Sequence, residues 1–218
     1  MRASEIRILI VDDHPVVRAG LRQMIDEAPG LCVADEANTG REAIRKTRAQ
    51  RYDLVLLDIS LPDTSGLEVL RTIKDEKPDL PVLMLSFHAE EQYAIRALKA
   101  GAAGYLSKES AADELISAIR HVRAGGRYVS PELAEHLAHY VADPGAAPPH
   151  ERLSDREYMV IRMLANGKSL AQIGKALIIS PKTVSTYRER ALSKLGLANN
   201  AELVQYAMKH DLIDTPLA

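Results

Sequence analysis

The chain has 218 residues, of which 46% are hydrophobic and 27% are charged, and its formal net charge is −2. This composition excludes a disordered chain, and the length is sufficient for a buried core and for two domains. The single cysteine excludes a disulfide framework, and no stretch approaches the ~20 apolar residues of a membrane span, so the sequence predicts a soluble, cytoplasmic protein without a membrane partner.

The first part of the chain alternates short apolar runs with helical patterns, which is typical of a parallel sheet covered by helices on both faces. The apolar runs predict strands at residues 8–11, 31–34, 54–57, 82–85 and 102–106. The helical patterns predict helices at residues 15–27, 39–50, 66–75, 90–99 and 112–124. The simplest arrangement is an α/β fold with a flavodoxin-like, doubly wound five-stranded sheet in the order 2-1-3-4-5.

Carboxylates follow two of the predicted strands. The pair Asp12-Asp13 ends the first strand, and Asp58 ends the third. The carboxyl ends of these two strands meet at the switch point of such a sheet, where we expect the carboxylates to converge and Asp58 to be exposed to reagents. Like charges this close repel unless a cation joins them, and hard oxygen ligands suit Mg²⁺. A carboxylate beside Mg²⁺ favours phosphoryl transfer through an aspartyl phosphate.

Two further strand ends lie at the same predicted edge. The fourth strand ends at Ser86, and the fifth ends near Lys108, whose ammonium suits a phosphate oxygen. In order and placement, the carboxylates, the hydroxyl and the lysine match the receiver domains of bacterial two-component response regulators, which residues 5–125 resemble. The resemblance implies that Asp58 is the phosphoacceptor, that Ser86 and Lys108 contact the phosphoryl oxygens, and that Tyr105 is the switch aromatic.

The same resemblance implies a Mg²⁺ site and a phosphoryl donor. Asp13, Asp58 and the carbonyl of Ser60 would hold the ion, and Asp12 would hold it through water. The donor would be a sensor histidine kinase or a phosphotransfer protein. Self-phosphorylation and self-dephosphorylation at Asp58 would be the only reactions, so the protein would not be an enzyme in the ordinary sense.

Residues 126–150 are predicted to form a linker that contains one short helix, at 131–141. Proline and glycine are dense in the stretch that follows, at 143–149. Three histidines of this region are expected on the solvated surface rather than in a metal site. They are His136, His139 and His150.

Residues 151–213 carry only helical patterns, predicted at 155–165, 170–177, 181–195 and 200–210. Ser154 and Glu157 form a capping-box signature at the start of the first of these helices. A three-residue turn between the second and third helices predicts a helix-turn-helix, and the longer helix has a polar face suited to a major groove. Residues 151–218 hold 10 Lys and Arg against 7 Asp and Glu, whereas residues 1–150 hold 18 against 23, so a mildly basic part follows an acidic one.

The sequence of this second part is similar to the LuxR-type helix-turn-helix over nearly all of residues 151–213. The matching segments include Leu153-Ser154, Arg156-Glu157, Ser180, Thr183-Val184 and Lys194-Leu195-Gly196-Leu197. The two parts together resemble the NarL/FixJ class of response regulators. Carried over by position, the side chains facing double-stranded DNA would be Lys182, Thr183, Ser185, Thr186, Arg188 and Glu189, with Lys194 near a phosphate. The last helix would supply a dimer contact, which makes the phosphorylated protein a homodimer.

The sequence leaves two other interpretations open. An aspartyl-phosphate hydrolase acting on small phosphates could use the same acidic site, although such enzymes usually carry Asp-x-Asp on the first catalytic strand, which Asp12-Asp13 does not supply. An interaction module that is never phosphorylated is disfavoured by the complete acidic set. We therefore predict a transcription regulator in which phosphorylation of Asp58 controls sequence-specific DNA binding.

Overall fold

The computed structural model describes residues 5–86, 91–108, 110, 112–131, 133–135, 148–210 and 212–213. The chain divides into two units, Met1–Ala142 and Asp143–Ala218. Within the described ranges, no helix combines the length and the apolar character that crossing a membrane requires.

The first unit is built on a five-stranded parallel sheet. Its strands are β1 (Ile6–Val11), β2 (Leu31–Ala37), β3 (Leu54–Asp58), β4 (Val82–Ser86) and β5 (Gly104–Ser107). They lie in the order β2-β1-β3-β4-β5, with every neighbouring pair parallel. The predicted fold class and strand order are therefore confirmed.

Five helices alternate with these strands: α1 (Pro15–Asp26), α2 (Gly40–Ala49), α3 (Gly66–Glu76), α4 (Glu91–Lys99) and α5 (Ala112–Arg123). Side chains alternate across the sheet, so Ile8 and Ile10 of β1 join one apolar cluster that also contains residues of α1 and α5. Leu9 and Val11 are equally buried, on the opposite face. Helices cover both faces, which explains why the central strands are apolar without alternation.

All five strands differ from their predicted bounds by one to three residues, and the differences at β2 and β5 have a physical reason. The strand β2 continues through Asp35 and Glu36, because it is the edge strand and basic side chains pair with both carboxylates: Lys46 Nζ lies 2.6 Å from Asp35 Oδ1, and Arg18 Nε lies 3.0 Å from Glu36 Oε2. The strand β5 begins later than predicted, because the N–H of Ala102 still donates to the carbonyl of Ala97 in the turn after α4.

The chain beyond α5 returns to the edge of the sheet. The N–H of Tyr105 donates to the carbonyl of Tyr128, and Tyr128 forms a parallel bridge with Gly104. Residues 131 and 133–135 are helical, and the rest of the helix predicted at 131–141 lies outside the described residues. A short 3-10 helix, Pro149–Arg152, replaces the end of the predicted linker.

The second unit contains four α-helices within its described residues: α6 (Asp155–Ala165), α7 (Leu170–Leu177), α8 (Pro181–Leu195) and α9 (Asn200–Lys209). Ser154 and Glu157 form the predicted capping box of α6, and Ser169 and Gln172 form a second one at α7. The core is apolar and includes Ile173, Val184, Ala191 and Leu203. The predicted helical domain is confirmed.

Candidate functional site

The sheet brings the predicted receiver residues to one edge. Val11 pairs with Leu57 across β1 and β3, so the next residues, Asp12 and Asp58, lie side by side where these two strands end. Ser86 ends β4 and pairs with Ser107 of β5. The N–H of Lys108 then donates to the carbonyl of Ser86 at 2.7 Å, which places the lysine beside the carboxylates.

Lys108 joins two buried carboxylates. Its Nζ lies 2.6 Å from Asp12 Oδ2 and 2.8 Å from Asp58 Oδ2. The side chain of Asp58 is only 2% exposed and that of Lys108 only 1%. The expectation that Asp58 is exposed to reagents was therefore wrong for this state, because the lysine covers the carboxylate.

The pKa of Asp58 is raised to about 6. Burial is the largest cause, and the neighbouring carboxylate of Asp12 acts in the same direction. The ammonium of Lys108 and the N–H of Ser60, which donates to Asp58 Oδ1 at 3.2 Å, oppose this rise. The ionised form of Asp58 is thus destabilised inside the folded protein, and a further positive charge at this edge would favour it.

His14 is a member of the acidic site that sequence reasoning missed. Its backbone N–H donates to Asp12 Oδ1 at 2.8 Å, and its ring nitrogen Nδ1 lies 2.7 Å from Asp13 Oδ1. One ligand atom from each of Asp12, Asp13, His14 and Asp58 can be chosen so that all lie within 4.8 Å of one another. These carboxylates suit a hard divalent cation, and the position of His14 next to Asp13 was the signal available in the sequence.

The loops around the site are held by specific contacts. Arg18 donates to the carbonyl of Asp12 at 2.7 Å, which anchors the loop after β1. After β3 the chain folds back on itself, and a Cβ at Gly66 would lie 2.0 Å from the carbonyl oxygen of Asp58. Only glycine fits there, so the loop that carries Ser60 keeps its position. The proposed role of the Ser60 carbonyl in metal binding stays a prediction.

Ser86 and Tyr105 are both buried at this edge of the sheet. Tyr105 lies in β5 opposite Met84 of β4, two residues before Ser86. The segment after Ser86, residues 87–90, lies outside the described residues. The roles of Ser86 as a phosphoryl contact and of Tyr105 as a switch stay predictions.

The second unit presents a helix-turn-helix with a polar surface. The hydroxyl of Ser180 caps α8, and Val184, Ala191 and Leu192 bury one face of this helix. The predicted DNA contacts Lys182, Thr186 and Glu189 are exposed, and Thr183, Ser185 and Arg188 are partly exposed. Arg190, an exposed basic residue of the same helix, was missed from the sequence.

Two of the predicted DNA contacts pair with side chains that lie outside α8. Lys194 Nζ lies 2.6 Å from Oε2 of the buried Glu157. Burial alone would raise the pKa of Glu157, but hydrogen bonds from Lys194 and Ser154 outweigh it and lower this pKa. Arg188 Nε donates to Asn200 Oδ1 at 2.6 Å, which ties α8 to α9. We therefore expect Lys194 to stabilise the fold, and its contact with a DNA phosphate stays a prediction.

His150 is fully buried, so its expected place on the solvated surface was wrong. The ring nitrogen Nδ1 lies 2.9 Å from the hydroxyl of Tyr206, and the ring packs at the edge of His210. The short 3-10 helix before α6 is thereby fixed against α9. His136 and His139 lie outside the described residues.

Comparison with known proteins agrees with this architecture. Residues 8–120 match the family described as "Response regulator receiver domain", and residues 151–207 match "Bacterial regulatory proteins, luxR family". The response regulator UvrY of Escherichia coli K12 is 39% identical over 208 residues, which are 95% of each chain. The response regulator GacA of Pseudomonas aeruginosa is 37% identical over 210 residues, covering 96% of this chain and 98% of GacA.

Solved structures show the same likeness. A LuxR-family two-component response regulator from Aurantimonas is 38% identical with a TM-score of 0.61, covering 64% of this chain and 99% of that one. RcsB of Salmonella enterica serovar Typhimurium, solved on the rprA promoter with the phosphomimetic BeF3−, is 25% identical with a TM-score of 0.63, covering 93% and 98%. This chain therefore belongs to the two-component response regulators of the NarL/FixJ class, which join a receiver domain to a LuxR-type DNA-binding domain.

Proposed function

We propose that Asp58 accepts a phosphoryl group and that this modification controls sequence-specific DNA binding through α8. The observation that carries the proposal is the buried contact of Asp58 with Lys108, at 2.8 Å, beside the carboxylate of Asp12. A carboxylate that is destabilised by burial and held next to an ammonium is suited to a reaction that adds negative charge at this position.

The carboxylate oxygen of Asp58 would attack phosphorus, and the bond from phosphorus to the donor would break, with its electron pair leaving on the donor. The donor would be a sensor histidine kinase, a phosphotransfer protein or a small acyl phosphate. The ammonium of Lys108 would move to contact the phosphoryl oxygens, and the hydroxyl of Ser86 would donate a hydrogen bond to one of them.

Asp13, Asp58 and the Ser60 carbonyl would hold Mg²⁺, with Asp12 acting through water. The close grouping of Asp12, Asp13 and Asp58 fits such an ion. Bound Mg²⁺ would neutralise charge on the transferred phosphoryl group. His14 now lies 2.7 Å from Asp13 Oδ1 and would have to yield some of this contact to the ion.

Phosphorylation would change DNA binding by changing the self-association of the protein. A phosphoryl group adds roughly −1.5 to −2 charge, and Ser86 and Lys108 would approach this group. Tyr105, which is buried in this state, would rearrange its packing at the end of the sheet as they move. A homodimer could place two copies of α8 in successive major grooves. The related RcsB was solved on promoter DNA in the presence of a phosphomimetic, which supports a link between the two sites. A chromosomal target would place the protein in the cytoplasm.

Intact-mass measurement after incubation with acetyl phosphate and Mg²⁺ tests the chemical step. One phosphoryl adduct is expected on the wild-type protein and none on Asp58→Asn. An undiminished adduct on Asp58→Asn would refute the assignment of Asp58. Rapid, steady release of phosphate would instead favour the aspartyl-phosphate hydrolase.

A further inference from the structure

The turn between α7 and α8 contains an unusual backbone conformation. Ile178 has φ 52° and ψ 44°, in the left-handed region. Among the described residues, it is the one non-glycine residue with positive φ. The glycines with positive φ are Gly30, Gly101, Gly125, Gly167 and Gly196. A β-branched side chain crowds the backbone in this region, so Ile178 is strained where the chain elsewhere uses glycine.

The shape of the turn explains the left-handed backbone but not the isoleucine. The N–H of Ile179 donates to the carbonyl of Gly174 at 2.9 Å. A Cβ at Gly174 would lie 2.7 Å from the carbonyl oxygen of Ile179, so the turn folds tightly onto α7. This closure requires a left-handed residue at position 178, and glycine or asparagine would satisfy it with less strain.

Packing inside the domain does not account for the isoleucine either. Ile178 is 65% exposed, whereas Leu177 and Ile173 fill the core beneath the turn. An exposed aliphatic group contributes little to the stability of its own domain. Neither the turn nor the core of the domain offsets the strain at Ile178. We therefore expect this side chain to be useful in a contact with another molecule.

We propose that Ile178 contacts the 5-methyl groups of thymine in the major groove and contributes to the sequence preference of the protein. The inference rests on the proposed binding of DNA by α8. Ile178 lies two residues before Ser180, the N-cap of α8, and four before the exposed Lys182. The amino-terminal end of the second helix of a helix-turn-helix is the part that meets base edges. Thymine methyl is the apolar group that the major groove offers to an aliphatic side chain.

Selection from a pool of randomised duplexes by the full-length phosphorylated protein tests the proposal. Wild-type protein should select thymine at one position of each half-site. Ile178→Asn should lose that preference and bind the selected duplex about tenfold more weakly. Ile178→Leu should keep most of the preference for thymine and most of the affinity. Val16→Asn is the matched control, because Val16 is a β-branched residue that is 84% exposed in the other unit. It should behave as wild type.

Two further measurements separate a loss of contact from a loss of folding, and the 5-methyl group from the rest of the thymidine. Asparagine tolerates the left-handed backbone, so Ile178→Asn should raise the unfolding midpoint of the second unit by about 4 °C while binding falls. With deoxyuridine at the selected position, the wild-type protein should bind as weakly as Ile178→Asn does. The affinity of Ile178→Asn itself should be the same for thymine and deoxyuridine duplexes.

The possible failures point to different conclusions. If Ile178→Asn selects the same sequences with wild-type affinity, or loses equal affinity for thymine and deoxyuridine duplexes, Ile178 does not read thymine although the proposed function stands. If the wild-type protein selects no sequence at all, the proposed function fails and this inference fails with it.

Discussion

Replacing Asp58 by asparagine should stabilise the receiver unit at neutral pH, although it removes the proposed phosphoacceptor. The pKa of Asp58 is raised from 3.8 to about 6, mainly by burial, so ionisation is disfavoured in the folded state. About two pKa units correspond to about 3 kcal/mol. The folded state binds the proton more tightly than the unfolded state, so this cost is absent below about pH 4, grows as the pH rises to about 6, and is constant above that.

Urea unfolding followed by circular dichroism, at about pH 4 and pH 7 without divalent cations, measures this difference. The free energy of unfolding of Asp58→Asn should exceed that of wild type by about 3 kcal/mol at pH 7 and by little at pH 4. Mg²⁺ should reduce the difference at pH 7, because an ion that binds the ionised carboxylate stabilises only wild type. Asp75→Asn, at an exposed position of α3, is the control and should change stability by less than about 1 kcal/mol. An Asp58→Asn protein that is no more stable than wild type at pH 7, or equally stabilised at both pH values, would show that burial does not destabilise the ionised form of Asp58.

Four other substitutions test the switch, an ion pair of the second unit and the DNA-binding face. Tyr105→Ala should be phosphorylated normally but change its oligomeric state less on phosphorylation, and light scattering that shows a wild-type response would contradict the switch. Lys194→Ala should destabilise the second unit by about 1–3 kcal/mol, because Glu157 stays buried without its partner; an unchanged urea midpoint would argue against this ion pair. Arg188→Ala should cost ~1–3 kcal/mol of preference between specific and scrambled duplexes, whereas Lys182→Ala should weaken both alike and flatten the salt slope by about one unit. Equal weakening of both duplexes by Arg188→Ala would mean that this residue does not read bases.

The arrangement of the receiver site could be predicted because it depends on strand order alone. Once β1 and β3 are neighbours, Asp12 and Asp58 must emerge together, and Ser86 and Lys108 follow from β4 and β5. Apolar runs and helical periodicity are local patterns, and the order 2-1-3-4-5 is their simplest assembly.

The burial of individual polar groups could not be predicted in the same way. Asp58 is covered by a lysine that lies 50 residues later in the chain, and Glu157 is paired with Lys194, 37 residues away. His150 is buried against Tyr206 of α9 and Tyr158 of α6. Such contacts depend on the path of each side chain in the folded protein, which neither composition nor spacing encodes.

Control of DNA binding by Asp58 is tested most directly by measuring DNA binding with and without phosphorylation of this residue. The affinity of full-length wild-type protein and of Asp58→Asn is measured for a duplex selected from a random pool, before and after treatment with acetyl phosphate and Mg²⁺. Treatment should strengthen binding by wild type and leave binding by Asp58→Asn unchanged. An equal gain in both proteins, or no gain in a wild-type protein that mass measurement shows to be phosphorylated, would contradict the claim that Asp58 controls DNA binding.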